Sequence, residues 1–275
     1  MHAASDMFAG QPSDEAMLAE LYDLEHDEIT EDFAFYREWA RRHPGTVVDL
    51  GCGSGRLFGP LLDGGATRIV GVDGSPALLT RAAARIAADT WLAAADAAGR
   101  IHTVVGDVRA PAVSERFALA VMAGVVAHLD GPEAAVRALT RAGQLLAPGG
   151  VLIVDTLGPG GWPPHDLPLS VDWQRRMGER RVVRRSQLSR KATPEGLRVD
   201  YETLTDLMEA DGTIMRLPAG FRLWYPSISA IVALAAEAKL EVEAVFGSHD
   251  LESLDERSER CIVVLRGATG GPGMG

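Results

Sequence analysis

Short apolar runs and longer amphipathic stretches take turns along the middle of the chain. TVVDLG (46–51) precedes a helical pattern at 56–63, and RIVGVD (68–73) precedes LLTRAAARIAAD (78–89). IHTVVGD (101–107) and FALAVMAG (117–124) come next, then a helical AAVRALTRAGQLLA (134–147) that leads into GGVLIVDTLG (149–158). Continuously apolar strands separated by helices predict βαβ units, and so a parallel sheet covered on both faces. Right-handed crossovers then make it doubly wound. The expected class is α/β: a Rossmann-like, mostly parallel, seven-stranded sheet.

The pattern differs at both ends of this block. Residues 14–42 are helical in texture, with Phe33, Phe35, Tyr36 and Trp39 forming an aromatic stripe. After Gly158 comes the loop-like WPPHDLPL, then segments near 180–190, 197–208 and 213–224 that alternate polar and apolar residues. Asp211-Gly212 gives a hairpin signal between the last two. The α/β rhythm resumes in SISAIVALAAEAKL (227–240), EVEAVFGSHD (241–250) and RCIVVLRG (260–267). The expected organisation is a loose start and helical cap (1–43), a core (44–158 and 225–267), and an antiparallel insert (159–224) serving as substrate lid or dimerisation element. A disordered tail (268–275) completes it.

Charge narrows the function. A formal net charge of −11 argues against a nucleic-acid partner, whose affinity comes largely from Lys and Arg on phosphates. The basic stretch RRMGERRVVRRSQLSRK (175–191) is a local exception. It reads either as the solvated face of a strand opposite the acidic DYETLTDLMEAD (200–211) or as a binding face for an anionic substrate. No apolar run reaches the length of a membrane span, and the acidic start lacks the order of a signal peptide. Cys52 and Cys261 have no metal-ligand spacing and fit a reducing cytoplasm.

The chemistry concentrates at strand ends. Three glycines in GCGSG (51–55) follow the first strand, where open α/β sheets bind ligands and a missing Cβ lets a ligand reach the backbone. Gly51 and Gly53 match the first two glycines of the dinucleotide fingerprint, but Arg56 stands in the third place. Asp73 ends the second strand, where a carboxylate can take both ribose hydroxyls. Asp107 follows the third, placed to accept from a purine amine, and the small turn Ala123-Gly124 ends the fourth. Cys52, inside the loop, reads as a small residue rather than a nucleophile.

Over residues 46–157 this set resembles the class I S-adenosylmethionine-dependent methyltransferases, through VVDLGCGSG, VGVDGS, GDVR and LAPGGVLIVD. LYDLEHD and AGVVAHLDG are similar to the glycine/sarcosine and amino-sugar N-methyltransferase branch. The resemblance implies S-adenosylmethionine as cofactor, whose ribose, adenine and sulfonium call for acids and not for a phosphate-binding lysine. It further implies that Gly51, Cys52 and Gly53 approach the methionyl part and that Asp73, with Gly74, holds the ribose. Asp107 and Val108 meet the adenine, Ala123 contributes its backbone, and Tyr22 closes over the methionyl end.

Methyl transfer from a sulfonium asks the protein mainly to align the reactants, with a base needed only for a protonated acceptor. His128, just past the fourth strand, is the first candidate base and His26 on the cap a second. Asp155 after the fifth strand could orient a cationic amine. Arg222, Trp224 and Tyr225 of the insert are candidate walls for a small-molecule acceptor, methylated on nitrogen or, alternatively, on oxygen or carbon. Three other readings stay open: a cofactor-binding protein of the same fold that catalyses cyclisation, a nicotinamide dehydrogenase, and a nucleic-acid methyltransferase. Exposed meander edges allow a homodimer.

Overall fold

The computed structural model describes residues 12–267, so the expectations of a loose start and of a disordered tail at 268–275 fall outside the described residues. Two helices, α1 (Pro12–His26) and α2 (Phe33–Arg42), lead into strand β1 (Gly45–Leu50). Then follow α3 (Phe58–Asp63), β2 (Ala66–Asp73), α4 (Pro76–Ala88), α5 (Thr90–Ala97), β3 (Ile101–Val105) and β4 (Phe117–Ala123). Helix α6 (Pro132–Leu145) and strand β5 (Leu146–Leu157) close the first block. Strands β6 (Leu167–Met177), β7 (Arg180–Thr193), β8 (Gly196–Met208) and β9 (Ile214–Pro226) are continuous with one another. Helix α7 (Ile228–Glu237), β10 (Leu240–Phe246) and β11 (Arg260–Gly267) complete the chain.

The core sheet has the order β10-β11-β5-β4-β1-β2-β3. Only β11 runs against its neighbours; β1 pairs in parallel with both β2 and β4. The chain therefore reverses its winding direction beside β1, and a crevice opens at the carboxyl ends of β1 and β4. One face buries Leu50, Val70, Met122 and Leu139, with α6 and α7 over it. The other buries Tyr36, Trp39, Phe58 and Leu61 with Ile69 and Ile153, so the aromatic stripe of α2 is core.

The insert is a separate four-stranded antiparallel meander, β6-β7-β8-β9. The alternating pattern announced three of these strands and missed β6. Its first six residues are all exposed, so no buried face imposes a period of two. Helix α5, only eight residues, was also missed; Asp89 caps it by accepting from the N–H groups of Trp91 and Leu92 at 2.8 and 3.0 Å.

Helix α1 is held from two sides. Leu21, with Leu18 and Leu24, packs on Val182, Leu207 and Leu217 of the insert, while Ala19 meets Leu78 of α4. On the α4 side Asp23 accepts from Arg81 at 2.7 Å and pairs with Arg85. Most of the basic stretch behaves as a solvated strand face. Arg185 and Arg216 share Asp206, and Arg180 pairs with Glu209 across the sheet. Arg184 has the opposite orientation and turns toward the crevice. No helix among the described residues is long and apolar enough to cross a membrane.

Candidate functional site

A cavity of about 1300 Å³ lies between the carboxyl ends of the core strands, helix α1 and the inner face of the insert. Its floor begins with the glycine loop. Gly51, Gly53 and Gly55 take φ of +82°, +56° and +75°, backbone that L side chains rarely adopt. A Cβ on Gly51 would collide with Val125, and one on Gly53 would come within 3.1 Å of the Tyr22 hydroxyl. The N–H groups of Gly51 and Cys52 both donate to the Val72 carbonyl, at 2.7 and 3.0 Å.

Asp73 ties this loop to the next helix. One carboxylate oxygen accepts from the Gly53 N–H and the other from the Ser75 N–H, each at 2.8 Å. Ser75 in turn caps α4 by accepting from Leu78. Burial pushes the Asp73 pKa up, opposed by the two N–H donors. Beneath the loop, the Asp49 carboxylate is 2% exposed and receives no hydrogen bond from the described residues. Burial carries its pKa up to about 7, with Arg56 opposing and Asp73 adding to the rise.

Arg56, standing where a third fingerprint glycine is missing, has a positive role. It grips Asp32 with two nitrogens at 2.6 and 2.7 Å and donates to the Ile29 carbonyl at 2.9 Å. This clamps the α1–α2 turn onto the glycine loop. Sequence reading noticed the residue only as a departure from the fingerprint. Cys52 puts its side chain into the core beside Gly71 and Phe58, and burial raises its thiol well above the usual value. It remains a thiol outside the cavity lining, which corrects the expectation that Cys52 approaches the methionyl part alongside Gly51 and Gly53.

Gly74, Asp107, Val108 and Ala123 all line the cavity. Asp107, expected to accept from a purine amine, is already engaged by Arg109. Arg109 folds back so that its Nε lies 2.9 Å from both carboxylate oxygens, and its backbone N–H donates at 2.8 Å. The Arg109 hydrogen bonds hold the Asp107 pKa below the usual carboxylate range against burial.

Two histidines face the upper cavity. His128 sits in a single helical turn, Val126–His128, just after β4. Neither ring nitrogen has a hydrogen-bond partner among the described residues, and Phe221 of β9 presents an edge at 6.4 Å. Burial, with His26 nearby, lowers its pKa to about 4. His26 donates from Nδ1 to the Tyr22 carbonyl at 2.8 Å, which leaves Nε2 as the acceptor nitrogen. Its ring stacks on Tyr22 at 4.0 Å, and burial moves its pKa below the usual value.

Four further expectations are corrected. Asp155, a candidate for orienting an amine, is 1% exposed and already saturated. It accepts from Tyr36 at 2.7 Å, from His249 at 2.8 Å and from two nitrogens of Arg260. Burial would raise its pKa, but the His249 hydrogen bond and the Arg260 charge hold it low. Arg222, Trp224 and Tyr225 are not the acceptor wall. The β9 residues that line the cavity are Ala219, Phe221 and Leu223, and successive strand residues face opposite sides. Arg222 therefore points to solvent, its side chain 93% exposed and 3.9 Å from Asp200. Trp224 packs into the core with Ile231 and Leu234, and Tyr225 lies outside the lining. Sequence reading also missed Glu25, Arg184, Tyr201, Thr203 and His249. The period-two alternation of β8 would have found Tyr201 and Thr203.

A methyltransferase-domain family model matches residues 47–150, the stretch that supplies the glycine loop and both following acids. The chain carries a methyltransferase domain. None of the curated proteins compared matches the chain. Among solved structures, the methyltransferase resembles the CcbJ methyltransferase of Streptomyces caelestis at 20% identity, covering 92% of this chain and 96% of that one, with a TM-score of 0.71. The sugar N-methyltransferase KedS8 from a Streptoalloteichus species aligns at 22% identity over 89% and 92% of the two chains, TM-score 0.67. CalS10, an amino pentose methyltransferase of Micromonospora echinaspora solved with S-adenosylmethionine bound, aligns at 23% over 90% and 95%, TM-score 0.62. At these identities the likeness speaks for the fold, and it extends through cap, core and insert alike.

The residues of the methyltransferase fit S-adenosylmethionine. The loop where a Cβ would collide with Val125 or crowd Tyr22, and the cavity-lining carboxylate of Asp73 with no ion-pair partner among the described residues, suit a ligand that is cationic and approaches the backbone closely. A phosphate-bearing ligand would meet the Asp73 and Asp107 carboxylates instead of free cations.

Proposed function

We propose that this methyltransferase moves a methyl group from S-adenosylmethionine to a nitrogen of a small-molecule acceptor held between the strand ends and the insert. The observation that carries the reading is Asp73. Its two oxygens fix the glycine loop and the α4 cap at the mouth of a cavity whose opposite wall holds an unpartnered histidine. When bound, S-adenosylmethionine supplies an electrophilic methyl group on a sulfonium.

Gly51, Gly53 and Tyr22 would hold the methionyl part, Asp73 and Gly74 the ribose, and Asp107 and Val108 the adenine side. Ala123 contributes its backbone at the end of β4. His128 is unprotonated at neutral pH, so either ring nitrogen without a hydrogen is ready to accept a proton from an acceptor ammonium. His26 Nε2 is a second acceptor on the same side. Leu18, Leu21 and Phe221 shield the cavity from water, which favours alignment of the reactants. The sugar N-methyltransferase KedS8, which shares this fold, supports nitrogen as the target.

The formal net charge of −11 argues against a nucleic-acid partner. Two buried, unpaired cysteines fit a cytoplasmic protein. Exposed Leu169 and Val171 on edge strand β6, and Ile214 on edge strand β9, support a dimer through the insert. The test of the function is isothermal calorimetry with S-adenosylhomocysteine, followed by transfer of labelled methyl from S-adenosylmethionine into amines. Micromolar binding and labelled amine support the reading; absence of S-adenosylhomocysteine binding refutes it.

A further inference from the structure

The charged side chains around the cavity are unevenly matched. Each arginine of the lining is engaged by a carboxylate: Arg56 by Asp32, Arg109 by Asp107, Arg257 by Asp255, Arg260 by Asp155, and Arg184 by Glu25. The reverse does not hold. Asp73, Asp250, Glu252 and Glu259 line the same cavity with no cationic side chain of the described residues within ion-pair distance. Among the described residues, no guanidinium of the lining is without a carboxylate partner.

The imbalance is sharpest at the acceptor end. Arg184 of β7 keeps its side chain 13% exposed, so its partners matter. One terminal nitrogen meets Glu25 of α1, the other donates to the Tyr201 hydroxyl at 2.9 Å, and Nε lies 3.6 Å from Asp172 of β6. Its guanidinium carbon also sits 5.7 Å from the Tyr201 ring centre. Asp172 accepts from Ser186 at 2.7 Å through its other oxygen. Arg175 also acts on Glu25 and lies 3.6 Å from the exposed Glu28, so three carboxylates face two guanidiniums and one negative charge is left over in a partly dry wall. The other polar groups there are the neutral histidines 26 and 128 and the hydroxyls of Thr203 and Thr205. Ala219, Phe221 and Leu223 supply an apolar row beside them.

We propose that the wall built by Glu25, Arg184 and Tyr201, with Asp172 braced against Arg184 outside the lining, is a charge filter, which admits a cationic amine acceptor and rejects amines that carry a carboxylate. The inference rests on the methyltransferase reading and adds the acceptor's charge to it. An amino acid entering this end would place its carboxylate against the surplus negative charge and find every guanidinium engaged. An ammonium would meet Glu25 directly and keep an apolar face against Phe221.

The experiment uses the full chain saturated with S-adenosylhomocysteine and three pairs of probes that differ by one carboxylate: ethanolamine and serine, tyramine and tyrosine, histamine and histidine. Calorimetry with S-adenosylhomocysteine is run first on the unsubstituted chain, where absence of binding refutes the methyltransferase reading, and then on each variant to establish that its donor site is intact, so that the two failures are separated. Melting temperature is then recorded against probe concentration. At least one amine is expected to bind tenfold or more tightly than its amino-acid partner. Glu25→Gln and Asp172→Asn should each lower that preference by about tenfold, corresponding to ~1.4 kcal/mol. Equal or stronger binding of the amino acids, no shift from any amine, or an undiminished preference in both variants overturns the proposal.

Discussion

The carboxylate of Asp73 accepts the Gly53 N–H on one oxygen and the Ser75 N–H on the other, both at 2.8 Å. A single side chain thus shapes the glycine loop and starts helix α4. Each carboxylate oxygen has a second acceptor site, so ribose hydroxyls can be received without breaking either bond. Asp73→Ala is expected to weaken S-adenosylhomocysteine binding roughly ten- to a hundred-fold, since a hydrogen bond to a charged group contributes about 1.5–3 kcal/mol. Titration calorimetry reads this directly, and an unchanged affinity would contradict the assignment.

His128 should act as a proton acceptor across the whole neutral range. Its pKa is about 4, so the rate limb it produces lies on the acid side. Activity should fall as pH drops through roughly 4–5, and no His128 limb should be present near 6.5. His128→Ala is expected to slow turnover about a hundred-fold, the low end for general acid–base catalysis. It should also abolish the acid limb in a pH profile of kcat/KM. A profile and rate matching the unsubstituted enzyme would assign His128 to shaping the loop alone.

The core was legible because buried parallel strands are apolar without interruption, and their glycine and acid punctuation falls at fixed ends. TVVDLG, RIVGVD and GGVLIVD each became a strand of the central sheet. The acceptor wall was not legible for the opposite reason. In a meander one residue decides the face, and Phe221 and Arg222 look equally suitable for a pocket until the register with β8 is known. That register sets Phe221 beside Tyr201 and Arg222 beside Asp200. Asp155 failed differently. Its partners Tyr36, His249 and Arg260 come from positions about 94 to 119 residues away, and no local pattern announces such a meeting.

Because those partners surround it, Asp155 is expected to act on stability rather than on chemistry. Removing one member of a buried ion pair typically costs about 3–5 kcal/mol, and Asp155→Ala should do so at neutral pH. The folded pKa is depressed, so the stabilisation is complete above the unfolded value near 4 and disappears as pH falls through the lower folded value. Thermal unfolding of both proteins from pH 7 to pH 3 should show the gap narrowing on the acid side. A variant that melts normally but has lost turnover would return Asp155 to the list of catalytic groups.

Asp49 reverses that sign. Its folded pKa is raised to about 7 from an unfolded value of about 3.9. Near pH 4 the group is protonated in the folded state and about half protonated in the unfolded one, so it costs little. As pH rises to 7 the unfolded chain ionises first, and folding bears a penalty on the order of 4 kcal/mol. Asp49→Asn should therefore raise the melting temperature of the ligand-free protein at pH 8 and leave it almost unchanged at pH 4. The same substitution removes the one buried acid under the glycine loop that lacks a donor, so S-adenosylhomocysteine, with its ammonium group, should bind less tightly. Greater stability together with weaker binding is the expected pair of results, read by scanning calorimetry and titration. A variant that melts lower at pH 8 would mean that Asp49 is stabilised as an anion by the fold itself, with no call on a cationic ligand.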